Sequence, residues 1–188
     1  CLADLAGRPA EAMPLHQKCL AAAEKLLGTE HASVAATLDN LAADEHLTGR
    51  LGEAEAAYKR ALAIREKVSG AGSIDLAPTL NNLGALYLDQ KKYAEAEALL
   101  KRALAIRERA EGAEHPDVAA TLEALGWLYA VQDRPDQAEP LLTKALALYE
   151  INHGGDHPDV ADGCSKLARV CLARGHDADA EARCKRAV

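Results

Sequence analysis

Apolar residues recur along this chain three and four positions apart. Between Gly112 and His153, the residues Val118, Leu122, Leu125 and Tyr129 fall at spacings of 4, 3 and 4, which is one stripe of an α-helix. His115-Pro116-Asp117 precedes the stripe. Proline suits a first helical turn, and aspartate there complements the positive end of the helix dipole. Asp133-Arg134-Pro135 breaks the pattern, and Ala138, Leu141, Leu142, Ala145, Leu146 and Leu148 then form a second amphipathic stretch. Asn152-His153-Gly154-Gly155-Asp156 closes it with residues that tolerate a left-handed backbone. His157-Pro158-Asp159 then repeats the opening signal.

That repetition runs through the whole chain. Alanine returns at Ala12, Ala54, Ala96, Ala138 and Ala180, a step of 42 residues. Gly28, Gly70, Gly112 and Gly154 keep the same step, as do Leu41, Leu83, Leu125 and Leu167, and Glu24, Glu66, Glu108 and Glu150. A fixed period of roughly 20–50 residues marks a stacked-repeat protein, in which each unit buries its apolar face only against its neighbours. The units predicted are 1–27 (partial), 28–69, 70–111, 112–153 and 154–188 (truncated), in a single array over 1–188. First helices are expected near Ala32–Leu47, Asp75–Asp89, Pro116–Val131 and Pro158–Ala173. Second helices are expected near Pro9–Leu27, Gly52–Val68, Tyr93–Glu111, Pro135–Ile151 and Asp177–Val188. Nothing alternates with period two for long enough to make a strand, so the fold class is all-α.

Composition narrows the partners. Hydrophobic residues make up 49% of the chain but aromatics only 3%, so alanine and leucine carry the packing and helices approach closely. A net charge of −7 argues against nucleic acid and against an anionic membrane surface, both of which draw on clustered Lys and Arg. No apolar run approaches the roughly 18–20 residues of a membrane span. Cys164, Cys171, Cys184 and Cys19 replace Leu, Tyr or Ala of sister units, so they are read as small apolar packing residues. With no CxxC pair, neither zinc nor a disulfide is expected, and reduced thiols suit the cytoplasm. No cofactor is implied.

Leu80-x2-Leu83-Gly84-x2-Tyr87, followed by Ala96-x3-Leu100 and Ala103, resembles the tetratricopeptide repeat, and Leu122-x2-Leu125-Gly126-x2-Tyr129 with Ala138-x3-Leu142 and Ala145 repeats it. The usual unit is about 34 residues; this one is longer by about one turn on each helix. Tyr93-Ala94-Glu95-Ala96-Glu97, the run Lys101 to Glu108, and His115-Pro116-Asp117-Val118-Ala119 make it similar to the kinesin light chain type of repeat. The resemblance implies an α-solenoid, a right-handed superhelix of stacked antiparallel helix pairs. First helices would line an inner groove and second helices the outer wall. It also implies a non-catalytic protein-interaction scaffold binding a peptide or partner helix in that groove. The Ala- and Arg-rich composition points to a bacterial source.

Candidate site residues lie on first helices, turned away from the apolar stripe. Aligned by unit, these positions read Asp39, Asn81, Glu123 and Ser165; then Asn40, Asn82, Ala124 and Lys166; then Ala43, Ala85, Trp127 and Arg169, and the candidates among them are Asp39, Asn40, Asn81, Asn82, Glu123, Trp127, Lys166 and Arg169. Packing positions barely vary between units while these change in charge and size, as a recognition surface on a uniform scaffold should. Asn amides both donate to and accept from a peptide backbone, and the matching Asn positions hold an extended peptide in the family resembled. Trp127 is the only Trp in the chain and stands where sister units have Ala or Arg, so the scaffold does not require its ring. It either anchors a partner or packs onto Leu88, Ala124 or the fourth unit. Arg169 could pair with an acidic ligand or with Glu123. The basic stripe Lys18, Arg60, Arg102, Lys144 and Arg186 reads as a salt-bridged outer face. His115 and His157 read as helix caps. His153 and His157, with Asp156 between, could be drawn as a metal site, but the Gly-rich loop lacks a preset helical face and no metal is expected there.

Two other readings compete with groove binding. Leu2, Leu5, Ala187 and Val188 on uncapped terminal helices could drive end-to-end self-association, or the chain could be the sensor arm of a larger signalling protein. No nucleophile elbow, Walker loop or dinucleotide fingerprint is present, so catalysis is not expected.

Overall fold

A computed structural model describes residues 8–175. Among these residues the helices are α1 (Pro9–Leu27), α2 (Ala32–Leu47), α3 (Leu51–Ser69), α4 (Ala77–Asp89), α5 (Tyr93–Glu111), α6 (Pro116–Val131), α7 (Pro135–His153) and α8 (Pro158–Ala173), and no strand occurs. The second helix expected at Asp177–Val188 lies outside the described residues, as do Cys1, Leu2, Leu5, Ala180, Cys184, Arg186, Ala187 and Val188. The helices fall into two compact units, Cys1–Lys92 with α1–α4 and Tyr93–Val188 with α5–α8. In each unit every helix packs on the next, and the two first helices touch: α2 on α4, and α6 on α8.

Histidine starts most of the first helices. His31, His115 and His157 each accept the backbone N–H two residues on (Ser33, Asp117, Asp159) through Nδ1. The predicted helix at Asp75–Asp89 instead divides into a 3-10 turn over Ile74–Leu76 and α4. Pro78 explains the division: it has no N–H to offer the Ile74 carbonyl, and Ala77 N–H takes that carbonyl in the tighter three-residue pattern. Second helices end on the repeating glycine, with φ of 87° at Gly28, 85° at Gly70, 91° at Gly112 and 86° at Gly154. A side chain is strained in that region, which is why the period keeps glycine there.

The core repeats as faithfully as the sequence does. Ala54, Ala96 and Ala138 are 0% exposed, and Leu80, Leu83, Leu122, Leu125 and Leu167 are buried with them. Close approach is sharpest at Gly126 in α6, where an added Cβ would sit 2.8 Å from Leu142 Cγ and 3.2 Å from the Leu142 backbone nitrogen of α7. Cys164 and Cys171 are buried, as their packing positions require. Cys19 is not: it is exposed on α1, whose described packing partner is α2 alone, while α3 packs on both α2 and α4.

Polar clamps recur at the same step. Glu55 receives Lys59 Nζ at 2.6 Å, Lys92 Nζ at 2.8 Å and Tyr87 Oη at 3.2 Å. Hydrogen bonds from Lys59 and Lys92 hold its pKa down at about 2. Glu97 in the second unit receives Lys101 at 2.6 Å, Tyr129 Oη at 2.9 Å and Arg134 at 3.2 Å. Lys92 and Arg134 also lie over the rings of Tyr87 and Tyr129. Two members of the basic stripe form ion pairs, Arg60 with Glu24 and Lys144 with Glu108.

The first repeat departs from this pattern. Met13, His16, Asp44 and Glu45 stand where the next repeat has Glu55, Tyr58, Leu86 and Tyr87. His16 Nδ1 meets Asp44 Oδ2 at 2.6 Å, while Glu45 is 5% exposed with its Oε2 buried and without a hydrogen-bond partner among the described residues. Burial pushes the Glu45 pKa up, opposed by the charge of Arg50 and assisted by Glu53 and Asp44.

Two outcomes follow from this packing. Gly126→Ala should destabilise the chain by about 1–3 kcal/mol in urea unfolding, because the new methyl meets backbone as well as the Leu142 side chain. Gly163→Ala, whose Cβ would sit 3.4 Å from Leu146 Cδ1, should cost clearly less, and equal costs would contradict the packing described. Glu45 has a raised folded pKa, so its favourable contribution exists below the unfolded value and is lost as pH rises through the folded one. Glu45→Gln should therefore raise the melting temperature at pH 7, by on the order of 1 kcal/mol in stability, and the gain should vanish toward pH 3–4.

Candidate functional site

The eight candidate residues all sit on first helices, and the structure divides them by whether the scaffold uses them. Asp39 on α2 is used. Its carboxylate accepts Arg65 Nη2 of α3 at 2.7 Å and Thr79 Oγ1 of α4 at 3.0 Å, tying three helices together. Burial pushes its pKa up against these donors. Glu123 on α6 plays the same part in the second unit. It accepts Tyr149 Oη of α7 at 2.9 Å and Lys166 Nζ of α8 at 3.0 Å, and burial pushes its pKa up as well. Lys166 is committed too, reaching Asp162 Oδ2 at 2.6 Å besides Glu123. Burial works against the Lys166 charge, but Asp162 and Glu123 together raise its pKa.

The asparagines are placed differently. Asn40 is exposed on α2 and Asn82 half-buried on α4, and neither makes a side-chain hydrogen bond among the described residues. Asn81 stands at the Asp39 position one repeat on, yet its Oδ1 is buried without a donor among the described residues. The first unit therefore presents amides with unused hydrogen-bonding capacity beside the small side chains Ala43 and Ala85.

Trp127 and Arg169 define the corresponding surface of the second unit. The Arg169 guanidinium lies over the Trp127 ring, 4.5 Å from its centroid, joining α6 to α8 across one repeat step. Arg169 belongs to the fourth unit, one of the packing partners left open to Trp127 in the sequence. Glu123 is taken by Lys166, so Arg169 has no carboxylate partner among the described residues. A shallow cavity of about 170 Å³ opens at this pair, lined by Trp127, Ala130, Val131, Arg169, Val170 and Ala173. The cavity walls were not singled out from the sequence. The available signal was that Ala130 and Ala173 are small at the helix turn following Trp127 and Arg169. Together the lining brings an aromatic ring, short aliphatic side chains and a guanidinium to one place.

In the first unit a larger hollow of about 320 Å³ lies between the α1–α2 connection and α3, lined by Thr29, Glu30, Arg60, Ala63, Ile64 and Lys67. Its charges are spent internally, Lys67 on Glu30 and Arg60 on Glu24.

The tetratricopeptide repeat model matches residues 2–67, 75–151 and 128–188. Among solved structures, BtubC (BKLC) from P. vanneervenii is 27% identical with a TM-score of 0.83, over 96% of this chain and 72% of that one. A Podosopora anserina protein with nearly identical TPR-like repeats, named for kinesin light chain, is 25% identical with a TM-score of 0.78, over 96% of this chain and 85% of that one. MamA shares the fold, at 18% identity and a TM-score of 0.63 over 96% of this chain and 87% of that one. No match was found among curated protein sequences. Repeat length, motif spacing, helix-pair packing and these likenesses agree: the chain belongs to the tetratricopeptide repeat family, with repeats of the kinesin light chain-like kind.

Proposed function

We propose that this chain is a non-catalytic interaction module that holds an extended peptide or a partner helix on the outward faces of its first helices. The family fold is in general a protein-interaction scaffold, which supports the class of function. The observation that carries the finer reading is the division among first-helix residues. Asp39, Glu123 and Lys166 are consumed in tying helices together, while Asn40, Asn82, Trp127 and Arg169 are left facing outward on a core that hardly varies. In the second unit Trp127 and Arg169 offer an anchor, and in the first unit the amides of Asn40 and Asn82 offer partners for a peptide backbone. Asp39, Glu123 and Lys166 act at one remove, by fixing the helices that present these groups.

The partner is a protein rather than nucleic acid or membrane. The net charge of −7 disfavours polyanions, and no helix among the described residues is long and apolar enough to cross a membrane. The buried free thiol of Cys171 fits a reducing compartment such as the cytoplasm.

Selection of peptides from a random displayed library, followed by titration of the purified chain, tests this reading. Trp127 is the sole tryptophan, so its fluorescence should shift on saturation. By calorimetry, Trp127→Ala should weaken the selected peptides at least tenfold, in the range of interface hot spots. Lys144→Ala on the second-helix side should leave affinity unchanged. Unchanged binding in Trp127→Ala would remove the anchor. Mass that rises with concentration in light scattering would favour self-association through Leu2, Leu5, Ala187 and Val188 instead.

A further inference from the structure

The end of α7 and the start of α8 bring together three metal-ligating groups that no recognition role uses. α7 closes on His153, the chain turns through Gly154 and Gly155, and His157 caps α8 two residues before Asp159. The sequence spacing drew attention to Asp156, but the turn brings in Asp159. His153 Nδ1 lies 3.4 Å from Asp159 Oδ2, His157 Nδ1 lies 3.3 Å from the same oxygen, and all three donor atoms fall within 4.8 Å of one another. The two imidazoles stand with centroids 4.4 Å apart, and Tyr149 stacks on His153 with centroids 6.0 Å apart.

These lengths match a coordination polyhedron. Four ligands at about 2.0–2.1 Å around a tetrahedral ion are separated by about 3.3–3.4 Å along each edge. Two edges of such a tetrahedron are therefore already in place, and the third needs only a small rotation of exposed side chains. The donor chemistry is selective as well: two imidazoles and one carboxylate suit a borderline divalent ion such as zinc, and poorly suit magnesium or calcium. The single lone pair of His157 Nδ1 accepts the Asp159 N–H in a long bond of 3.3 Å, so ligation by His157 exchanges that cap bond for the ion. The carbonyl end of α7 favours a cation beside His153.

The preceding repeat of the same unit serves as an internal comparison. Glu111, His115 and Asp117 occupy the equivalent positions, with Glu111 Oε2 at 3.4 Å from His115 Nδ1 and buried without a hydrogen-bond partner. The frame is thus a product of the repeat, and what is particular to its last occurrence is an imidazole in place of the glutamate.

We propose that His153, His157 and Asp159 form a binding site for a zinc-class divalent ion, with water or a ligand from outside completing its coordination. Bound there, the ion joins the end of α7 to the start of α8 and stiffens the turn between them.

Titration of the full chain with Co²⁺, read by visible absorption and followed by displacement with Zn²⁺, tests the assignment. The expected result is one saturable site whose spectrum lacks sulfur-to-cobalt charge transfer, with affinity falling as pH drops through the imidazole range near 6–7. His153→Ala and Asp159→Asn should each weaken binding at least tenfold. His157→Asn keeps an N-cap acceptor while removing the imidazole, so it should do the same without unfolding α8. Glu111→Gln and Cys19→Ser should leave the site unchanged. Absence of saturable Co²⁺ binding would overturn the proposal, as would a thiolate spectrum or undiminished affinity in His153→Ala and His157→Asn.

Discussion

The contact on which this molecule depends is a small residue on one helix set against a large aliphatic one on the next. Gly126 leaves Leu142 no room for a further methyl group, and the fully buried Ala54, Ala96 and Ala138 keep comparable positions free of bulk. A chain with no phenylalanine and one tryptophan cannot fill wide gaps between helices, so it closes them instead. Within each unit the helices meet through the same few kinds of side chain, so the interior recurs from one repeat to the next. The outward faces of the first helices are then free to change without disturbing what holds the pairs together.

Polar groups complete this division. Asp39 with Arg65 and Thr79, and Glu123 with Tyr149 and Lys166, satisfy charges that would otherwise be half-buried and unpaired, and they fix neighbouring helices in rotation as well as distance. Glu55 and Glu97, each fed by a tyrosine hydroxyl and two cations, do the same on the second-helix side. Once these staples are counted, the first-helix surface keeps few groups without a hydrogen-bond or ion-pair partner among the described residues: the amides of Asn40 and Asn82, and the guanidinium of Arg169 stacked on Trp127. The recognition chemistry proposed here is what remains after the scaffold has taken its share.

Much of this was legible in the sequence, because helix-breaking residues and apolar stripes act locally. Pro116, Pro135 and Pro158 mark the starts of α6, α7 and α8, and the repeating glycines mark the ends of second helices. The start of α4 was not legible in the same way, since it depends on a single missing N–H at Pro78 rather than on a pattern. The site was only partly readable. Variation between units marks Asp39, Glu123 and Lys166 as strongly as it marks Trp127, yet the first three are turned onto partners from other helices. Pairing over 26 to 43 residues leaves no trace in a local pattern, and only coordinates separate a staple from a free group. Cys19 misled for a related reason: the period says which face of α1 it occupies, while its exposure depends on what packs against that face.

Hydrogen–deuterium exchange of the chain with and without a selected peptide tests most directly whether identity is carried by the first helices over an interchangeable core. The account predicts new protection on α2, α4, α6 or α8, centred near Asn82 or Trp127, with α3, α5 and α7 unchanged apart from their buried baseline. Protection gained on the second helices, with the first helices untouched, would contradict it.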